Sequence, residues 1–299
     1  MHSGPGDLEA AFAPGVGMVG CSLRHRGEEL LGQRGGLAKY AESGSSMGIP
    51  LLHPWANRLD GLRYAVAGRE VELDPDSTPL RLDANGLPIH GLATASPHWE
   101  LTGAAADDGG ARLAARLDFA AHPELLTGFP FPHRLEVDVT LAGRVLSLQT
   151  ALVATGDVPV PVSFGYHPYL RLPGVPRAQW RVALPVRRRA VLDERGIPTG
   201  EDERDETPPG PLGERDFDDL YPELCHPPEF VLEGGGRHVE VRFEQGYPVA
   251  QVYAPPSEEH VCFEPMTAPT NALVSGRGLR LVPPGERYVA RFSICVLSG

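Results

Sequence analysis

Two segments of the sequence carry the residue types that acid–base chemistry needs. In SFGYHPYL, His167 lies between Tyr166 and Tyr169, and Pro168 favours an extended backbone at the histidine. Aromatic neighbours lower the local dielectric and tune the pKa of an imidazole near neutrality. In VCFEPMTAPTNA, Glu264 ends an apolar run, where a carboxylate is costly without partners. A packed turn at the histidine and an ion pair at the glutamate are the structural alternatives.

Two further segments offer polar groups typical of a sugar-binding pocket. GIPLLHPWANRL delivers Trp55, Asn57 and Arg58 to a predicted loop at a sheet edge. An indole packs against the C–H face of a sugar, while an amide and a guanidinium bond its hydroxyls. PIHGL places His90 before a glycine that permits a close approach. A buried tryptophan beside a surface arginine, and a hydrogen-bonded core histidine, explain the same residues without a binding function.

FDDLY contains a weaker candidate for binding sugar hydroxyls. Either Asp218 or Asp219 is able to accept two hydroxyl hydrogen bonds, and a solvated turn explains the segment equally well. The acids of residues 201–206 lie in a uniformly polar stretch and are expected to be solvated.

The sequence predicts neither a metal nor an organic cofactor. Zinc sites are marked by short spacings such as HxH or HExxH, whereas the candidate ligands His53, His90, His167 and Glu264 are far apart. The sequence has no GxGxxG after a predicted strand, no P-loop and no GxSxG. Cofactor-driven chemistry and a serine esterase are therefore not indicated.

Apolar residues alternate with period 2 along much of the chain, which predicts many antiparallel strands. The alternation is clearest at 62–66, 71–73, 113–119, 135–141, 146–152, 239–243 and 288–296. Helical periodicity is not sustained over three turns, and the one helix predicted is a short one near residues 8–12. We therefore predict an all-β protein with a single domain over residues 1–299 and a mobile surface loop at about 201–215.

Charge and cysteine usage narrow the partners of this 299-residue chain. Its formal net charge of −12 disfavours a nucleic acid or an anionic membrane and is compatible with a neutral small molecule. The four cysteines form no CxxC pair of the kind found in metal or redox sites. The given sequence does not open with the basic stretch and apolar run typical of a signal peptide. No stretch of 18 apolar residues occurs. We predict a cytoplasmic protein with a sugar-sized ligand, and no segment indicates an oligomeric state.

The five segments, taken in their order along the chain, resemble the aldose 1-epimerase (mutarotase) family. The resemblance is carried by GIPLLHPWANRLDG, PIHGLA, FGYHPYLRL, FDDLY and FEPMTAPTNAL, and with the intervening strands it covers residues from about 10 to 297. It implies a galactose-mutarotase-like β-supersandwich that interconverts the anomers of a free aldose by ring opening and reclosure. The resemblance implies that His167 is the general acid and Glu264 the general base. It also implies that His90 and Arg58 line the sugar pocket and that Asp218 or Asp219 binds sugar hydroxyls.

Two departures from the family pattern bear on the substrate. Leu170 and Arg171 stand where larger members tend to carry Phe and Asn, and the chain is shorter than the galactose mutarotases, so galactose specificity does not follow. One alternative is an epimerase of hexose 6-phosphates, for which the arginines at 187–189 are a candidate phosphate contact, although a solvated strand end explains them more simply. The other is a non-catalytic carbohydrate-binding protein. A glycoside hydrolase normally uses two carboxylates, and only Glu264 stands out here.

Overall fold

Strands dominate the protein. The computed structural model describes residues 1–4 and 7–298, with 49% of the residues in strands and 8% in helices, which confirms the predicted all-β class. The strands are β1 (Leu8–Ala13), β2 (Val19–His25), β3 (Glu28–Glu29), β4 (Leu51–Leu52), β5 (Arg63–Val66), β6 (Arg69–Glu72), β7 (Glu100–Asp107), β8 (Gly110–Asp118), β9 (His133–Ala142), β10 (Val145–Ala154), β11 (Val160–Val162), β12 (Gly165–Tyr166), β13 (Tyr169–Leu170), β14 (Arg181–Ala183), β15 (Val186–Leu192), β16 (Pro198–Arg204), β17 (Gly210–Pro211), β18 (Asp218–Tyr221), β19 (Glu223–Leu224), β20 (Glu229–Gly234), β21 (Arg237–Gln245), β22 (Val249–Tyr253), β23 (Val261–Met266), β24 (Arg280–Val282) and β25 (Arg287–Ser298). The helices are α1 (Gly36–Ser43), α2 (Pro123–Gly128) and α3 (Ala272–Ser275), with 3-10 turns at Phe119–Ala121 and Arg177–Gln179.

One large antiparallel sheet forms a wall of the core. Its nine strands run in the order β17-β14-β20-β21-β25-β10-β9-β8-β7. β9 and β10, which contain the alternating stretches 135–141 and 146–152, form a hairpin that pairs Leu135 with Leu152. Every second residue of β9 is buried, and each large apolar side chain removed from water contributes about 1.5–3 kcal/mol. The alternation in the sequence therefore corresponds to one face of this sheet.

A second sheet positions the candidate site. Its strands run in the order β18-β22-β23-β12-β4, and β13 also pairs with β23. All six residues of β23 are buried, so this strand is covered on both faces and its sequence is nearly continuously apolar. The short strands β12 and β13 pair with β23 one after the other, with Gly165 opposite Met266 and Tyr169 opposite Cys262.

The predicted short helix near residues 8–12 is wrong. These residues belong to β1, in which Leu8 and Ala10 are buried while Glu9 between them is half-buried. The strand pairs antiparallel with β2. A segment this short has no intrinsic helix stability, so pairing with its neighbour decides its conformation.

The predicted loop at 201–215 is partly regular structure. Residues 201–204 complete β16, which pairs with β15, and Arg189 forms an ion pair with Glu203 across the two strands. Opposite charges on facing strands stabilise such a pairing, which offsets the polarity of the segment. Gly210–Pro211 forms the short edge strand β17. The single-domain organisation stays a prediction.

The described helices are short. The longest, α1, has eight residues, and none in the described chain has the length and apolar character that a membrane crossing requires.

Candidate active site

The pairing of β23 with two short strands brings His167 and Glu264 together. His167 lies between β12 and β13, and Glu264 lies in the middle of β23, at the matching position of the ladder. The two side chains are in direct contact, with 3.2 Å between His167 Nε2 and Glu264 Oε1. An imidazole and a carboxylate that are about 100 residues apart in sequence therefore form one acid–base pair.

Burial governs the protonation of this pair. The exposed fraction of the side chain is 6% for His167 and 2% for Glu264. Burial, and after it the charge of Asp218, holds the pKa of Glu264 well above its usual value. Burial also holds the pKa of His167 well below its usual value. Since neither charge is favoured alone, the pair holds one proton and is neutral over a range of pH.

Buried polar atoms of the pair are left for a ligand. Within the described chain, His167 Nδ1 and Glu264 Oε2 have no hydrogen-bond partner, although buried polar atoms in folded proteins are nearly always paired. The Tyr169 ring stacks on the His167 ring with 4.3 Å between centroids and 10° between planes. This stacking fixes the orientation of the imidazole.

His90 faces the pair from a strained backbone. It has a φ of +65°, which is unfavourable for a residue with a Cβ. Gly91 follows with a φ of +73°, and a Cβ there would lie 2.2 Å from the His53 carbonyl oxygen. The His90 ring is 5.5 Å from the His167 ring, edge to face. Burial, with Arg81 next in effect, lowers the pKa of His90 to about 3, so this imidazole is neutral at neutral pH.

Arg58 and Asp218 lie near Glu264, whose pKa responds to both of their charges, and Asn57 lies beside Arg58. Arg58 is held by Asp83, with 2.7 Å between Nε and Oδ2, and donates from Nη1 to the Asn57 side chain at 3.1 Å. Asp218 accepts a hydrogen bond from Gln251 at 2.7 Å. Each of these side chains is anchored by a neighbour before any ligand binds.

The structure distinguishes the two candidate aspartates. Successive residues of β18 point to opposite faces of the sheet. Asp218 lines the pocket, whereas Asp219 points away from it and accepts a hydrogen bond from Arg189 at 3.4 Å.

All six predicted site residues line one cavity of about 190 Å³. They are Asn57, Arg58, His90, His167, Asp218 and Glu264. Seven further lining residues were not predicted as site residues, namely Arg34, Ser45, Ser46, Arg81, Ile89, Tyr169 and Tyr253. Ile89 and Tyr169 lie inside two of the five motifs, but the other five residues lie outside the motifs, and only the folded chain shows that they meet the pocket.

Of the two interpretations of Trp55, the structure shows the buried tryptophan and not a platform for a sugar. This side chain has no exposed surface and belongs to the hydrophobic core, where it packs edge-on against Tyr64 with 6.5 Å between ring centroids. His53 is likewise internal, with its Nε2 2.7 Å from Nε2 of His133. The segment around residues 51–59 alternates between core and pocket, so adjacent residues of one motif have different functions.

A group of potential metal ligands lies outside the pocket. His98, His122 and Glu124 bring two imidazoles and a carboxylate together at the surface. The two rings are stacked with 3.8 Å between centroids, and Glu124 lies 3.0 Å from His98. No residue of this group reaches the acid–base pair, and a metal-free active site stays a prediction.

Comparison with known families identifies the chain. The aldose 1-epimerase family matches residues 21–295. The chain belongs to the aldose 1-epimerase family. Membership supports an epimerase that acts on a sugar, in agreement with the motif resemblance.

Individual relatives of this aldose 1-epimerase family member extend the comparison. YihR, an uncharacterized protein of Escherichia coli strain K12, is 25% identical over 260 residues, which are 82% of this chain and 80% of YihR. A galactose mutarotase-like protein from Clostridium acetobutylicum has a similar structure, with a TM-score of 0.83, 19% identity and coverage of 98% of this chain and 94% of that chain. For galactose 1-epimerase from Lactobacillus acidophilus the TM-score is 0.78, the identity 14% and the coverages 99% and 92%. These similarities confirm the predicted galactose-mutarotase-like β-supersandwich.

Proposed function

We propose that this protein interconverts the α and β anomers of a free aldose by opening and reclosing the sugar ring. The observation that carries the proposal is the contact between His167 and Glu264 at 3.2 Å, in a pocket of sugar size. The anomeric hydroxyl oxygen and the ring oxygen are bonded to the same carbon. A base for one and an acid for the other must therefore lie close together, as these two groups do.

The reaction moves one proton from His167 to the sugar and one from the sugar to Glu264, so the pair itself neither gains nor loses a proton. In the reactive form Glu264 is ionised and His167 is protonated. Glu264 removes the proton of the anomeric hydroxyl while His167 protonates the ring oxygen, the bond between C1 and the ring oxygen breaks, and an aldehyde forms. Rotation about the C1–C2 bond presents the other carbonyl face, and reversal of the proton transfers closes the ring. The pair holds one proton before and after each half of the cycle.

The remaining predicted residues position the sugar. His90 is neutral and buried, so it bonds to the reacting oxygens without adding a competing acid. Arg58, Asn57 and Asp218 bind the hydroxyls near the Glu264 side and hold the anomeric carbon in place. Acid and base groups of this kind each contribute about 10²–10⁴-fold to the rate.

The free thiols of the protein support a cytoplasmic location for this activity. All four cysteines are unpaired in the structure, Cys262 and Cys295 buried and the other two half-buried. Unpaired thiols are typical of a reducing compartment, so the proposal includes a cytoplasmic location.

Polarimetry of freshly dissolved α-glucose and α-galactose, with anomer-exchange NMR beside it, tests the proposed function. We expect the protein to accelerate the approach to anomeric equilibrium without changing the equilibrium composition. Saturable sugar binding without acceleration would instead support the non-catalytic carbohydrate-binding alternative. Release of reducing ends from oligosaccharides would contradict the proposal, because it requires bond hydrolysis.

A further inference from the structure

The pocket is more basic than the chain as a whole. The chain has a formal net charge of −12, yet three arginines, Arg34, Arg58 and Arg81, line the cavity. Arg58 is neutralised by Asp83 at 2.7 Å, and Arg34 lies 3.4 Å from Glu258. Across residues 1–4 and 7–298, no carboxylate comes within 4.0 Å of Arg81. One half-buried guanidinium in the pocket thus lacks a counterion.

Arg81 is held in place by neutral groups. Its Nη1 donates to the Gly44 carbonyl oxygen at 2.6 Å and to the Ser46 hydroxyl at 3.3 Å. These bonds orient the side chain, while no side-chain or backbone acceptor of the described chain bonds its Nε or Nη2. Because a guanidinium keeps its charge in proteins, the charge needs an anionic partner rather than a change of protonation.

Arg34 lies beside the same part of the pocket. Its Nη1 is 3.3 Å from the Tyr169 hydroxyl, and its Cζ is 5.4 Å from the centre of the Tyr169 ring. Burial lowers the pKa of Arg81; the hydroxyls of Tyr169 and Tyr40 oppose this effect, and the charge of Arg34 adds to it. Two guanidiniums that repel each other at the wall of a cavity favour an anion beside them both.

The position of these arginines defines which part of a sugar they meet. Tyr169 stacks on His167, so Arg34, which bonds to the Tyr169 hydroxyl, lies on the His167 side. Arg81 reaches the same side through Ser46, two residues before Gly48, whose carbonyl oxygen accepts a hydrogen bond from the Tyr169 N–H at 2.8 Å. Arg58 and Asp218 lie near Glu264, whose pKa responds to both of their charges. In the proposed mechanism His167 serves the ring oxygen. In an aldopyranose the ring oxygen is bonded to C5, which carries the exocyclic C6, so C6 is directed toward the Arg34 and Arg81 side.

We propose that the aldose carries an anionic group on C6, bound by Arg81 and Arg34 with the Ser46 hydroxyl beside them. The shared chemistry is a phosphate, sulfonate or carboxylate in place of the neutral C6 hydroxyl. This inference rests on the proposed function and deepens it, because it gives the substrate class. Arg81 is a specificity-determining residue in this arrangement, since it touches the substrate away from the reacting atoms.

The substrate preference of the wild-type protein is the first test. Anomer-exchange NMR gives kcat/KM for glucose, glucose 6-phosphate, 6-deoxy-6-sulfoglucose and glucuronate, and for the same series of galactose, after subtraction of each spontaneous rate. We expect at least one anionic sugar to exceed its neutral parent by tenfold or more, and the three arms identify which anion fits. A neutral sugar preferred over all its anionic derivatives would overturn the inference.

Arg81→Gln tests the assigned residue. Hydrogen bonds to charged groups contribute about 1.5–3 kcal/mol, so the ratio of kcat/KM for the anionic sugar over the neutral one is expected to fall about ten- to a hundredfold. Arg81→Lys keeps the charge without the planar fork and is expected to lose less of the ratio. The matched control is Arg69→Gln, an exposed arginine of β6 outside the pocket, which should leave the ratio unchanged. An unchanged ratio in both Arg81 variants would refute the assignment.

Binding separates failure of this inference from failure of the proposed function. Calorimetry with glucose 6-phosphate and glucose measures recognition independently of turnover. Preferential binding of the anionic sugar without exchange would contradict the proposed function and support the anion site. Exchange of neutral sugars with no anionic preference in binding or turnover would support the proposed function and overturn the anion site.

Discussion

Glu264 and His167 are two buried residues whose protonation is coupled. A net charge on the pair is costly in either direction, because both side chains are almost fully removed from water. The residue types and the motifs around them allowed the sequence to predict both groups. The contact itself was not predictable, because it depends on two short strands pairing with β23.

The coupled pair predicts a bell-shaped pH dependence of kcat/KM. The one-proton form extends from the lowered pKa of His167 up to the raised pKa of Glu264, and burial sets the direction of both shifts. Activity is lost as pH falls through the lower of the two pKa values, because a second proton binds to the pair. It is also lost as pH rises through the higher pKa, because the last proton leaves. Initial rates by polarimetry across pH measure both limbs. A profile that follows a single ionisation would contradict a shared proton.

Arg81 and Trp55 show where reasoning from residue types fails. Trp55 has the amphipathic ring expected of a sugar platform, but it is fully buried in the core. Arg81 lies in no motif, yet it reaches the pocket from a segment nearly 90 residues before His167. Neither outcome follows from local sequence, because both depend on which face of the folded segment is turned to the cavity.

At the scale of elements, the loop around His90 has a strained backbone that directs the imidazole into the pocket. Isolated β-bridges join Gly91 to His53 and Ile89 to Arg58, so the positive φ angles of His90 and Gly91 are held by the segment of residues 53–58. The sequence indicated the need for a close approach at Gly91 from the residue type alone. The atom approached, the His53 carbonyl oxygen, required the fold.

Gly91→Ala is expected to lower both stability and activity. An alanine at positive φ costs about 1 kcal/mol, and its Cβ would also lie 2.2 Å from the His53 carbonyl oxygen. The matched control is Gly68→Ala, whose φ of +75° is similar but whose Cβ meets no atom within 4 Å. Urea denaturation should show a larger loss for Gly91→Ala, with reduced kcat for that variant alone. Equal losses in the two variants would contradict the role of the close approach.

At the scale of the whole molecule, the two large sheets share a core that also contains ionisable groups. The alternation of apolar residues predicted the strands of the nine-stranded sheet well, because one face of each is buried. The second sheet was harder to predict, since strands such as β12 and β13 have two residues each and carry no period. Its boundaries are set by pairing with β23 rather than by local preference.

Buried neutral histidines predict acid-sensitive stability. His133 lies in the core beside His53 and is fully buried, and burial lowers its pKa to about 4. The unfolded chain binds this proton near pH 6.5, so the free energy of unfolding should fall as pH drops from about 6.5 toward 4. Urea titrations across this range measure the slope. His133→Gln should reduce it, whereas His2→Gln, at an exposed position, should not. A free energy of unfolding independent of pH in this range would contradict the assignment.

The most direct test of the account compares anomer exchange by the wild-type protein and Glu264→Gln at equal occupancy by sugar. The substitution keeps the shape of the side chain and removes the base, so we expect the exchange rate to fall about 10²–10⁴-fold while sugar affinity changes little. Glu286→Gln, in an exposed turn of the described chain, is the control and should exchange at the wild-type rate. A Glu264→Gln protein that binds sugar and exchanges anomers at nearly the wild-type rate would contradict the central role given to the His167–Glu264 pair.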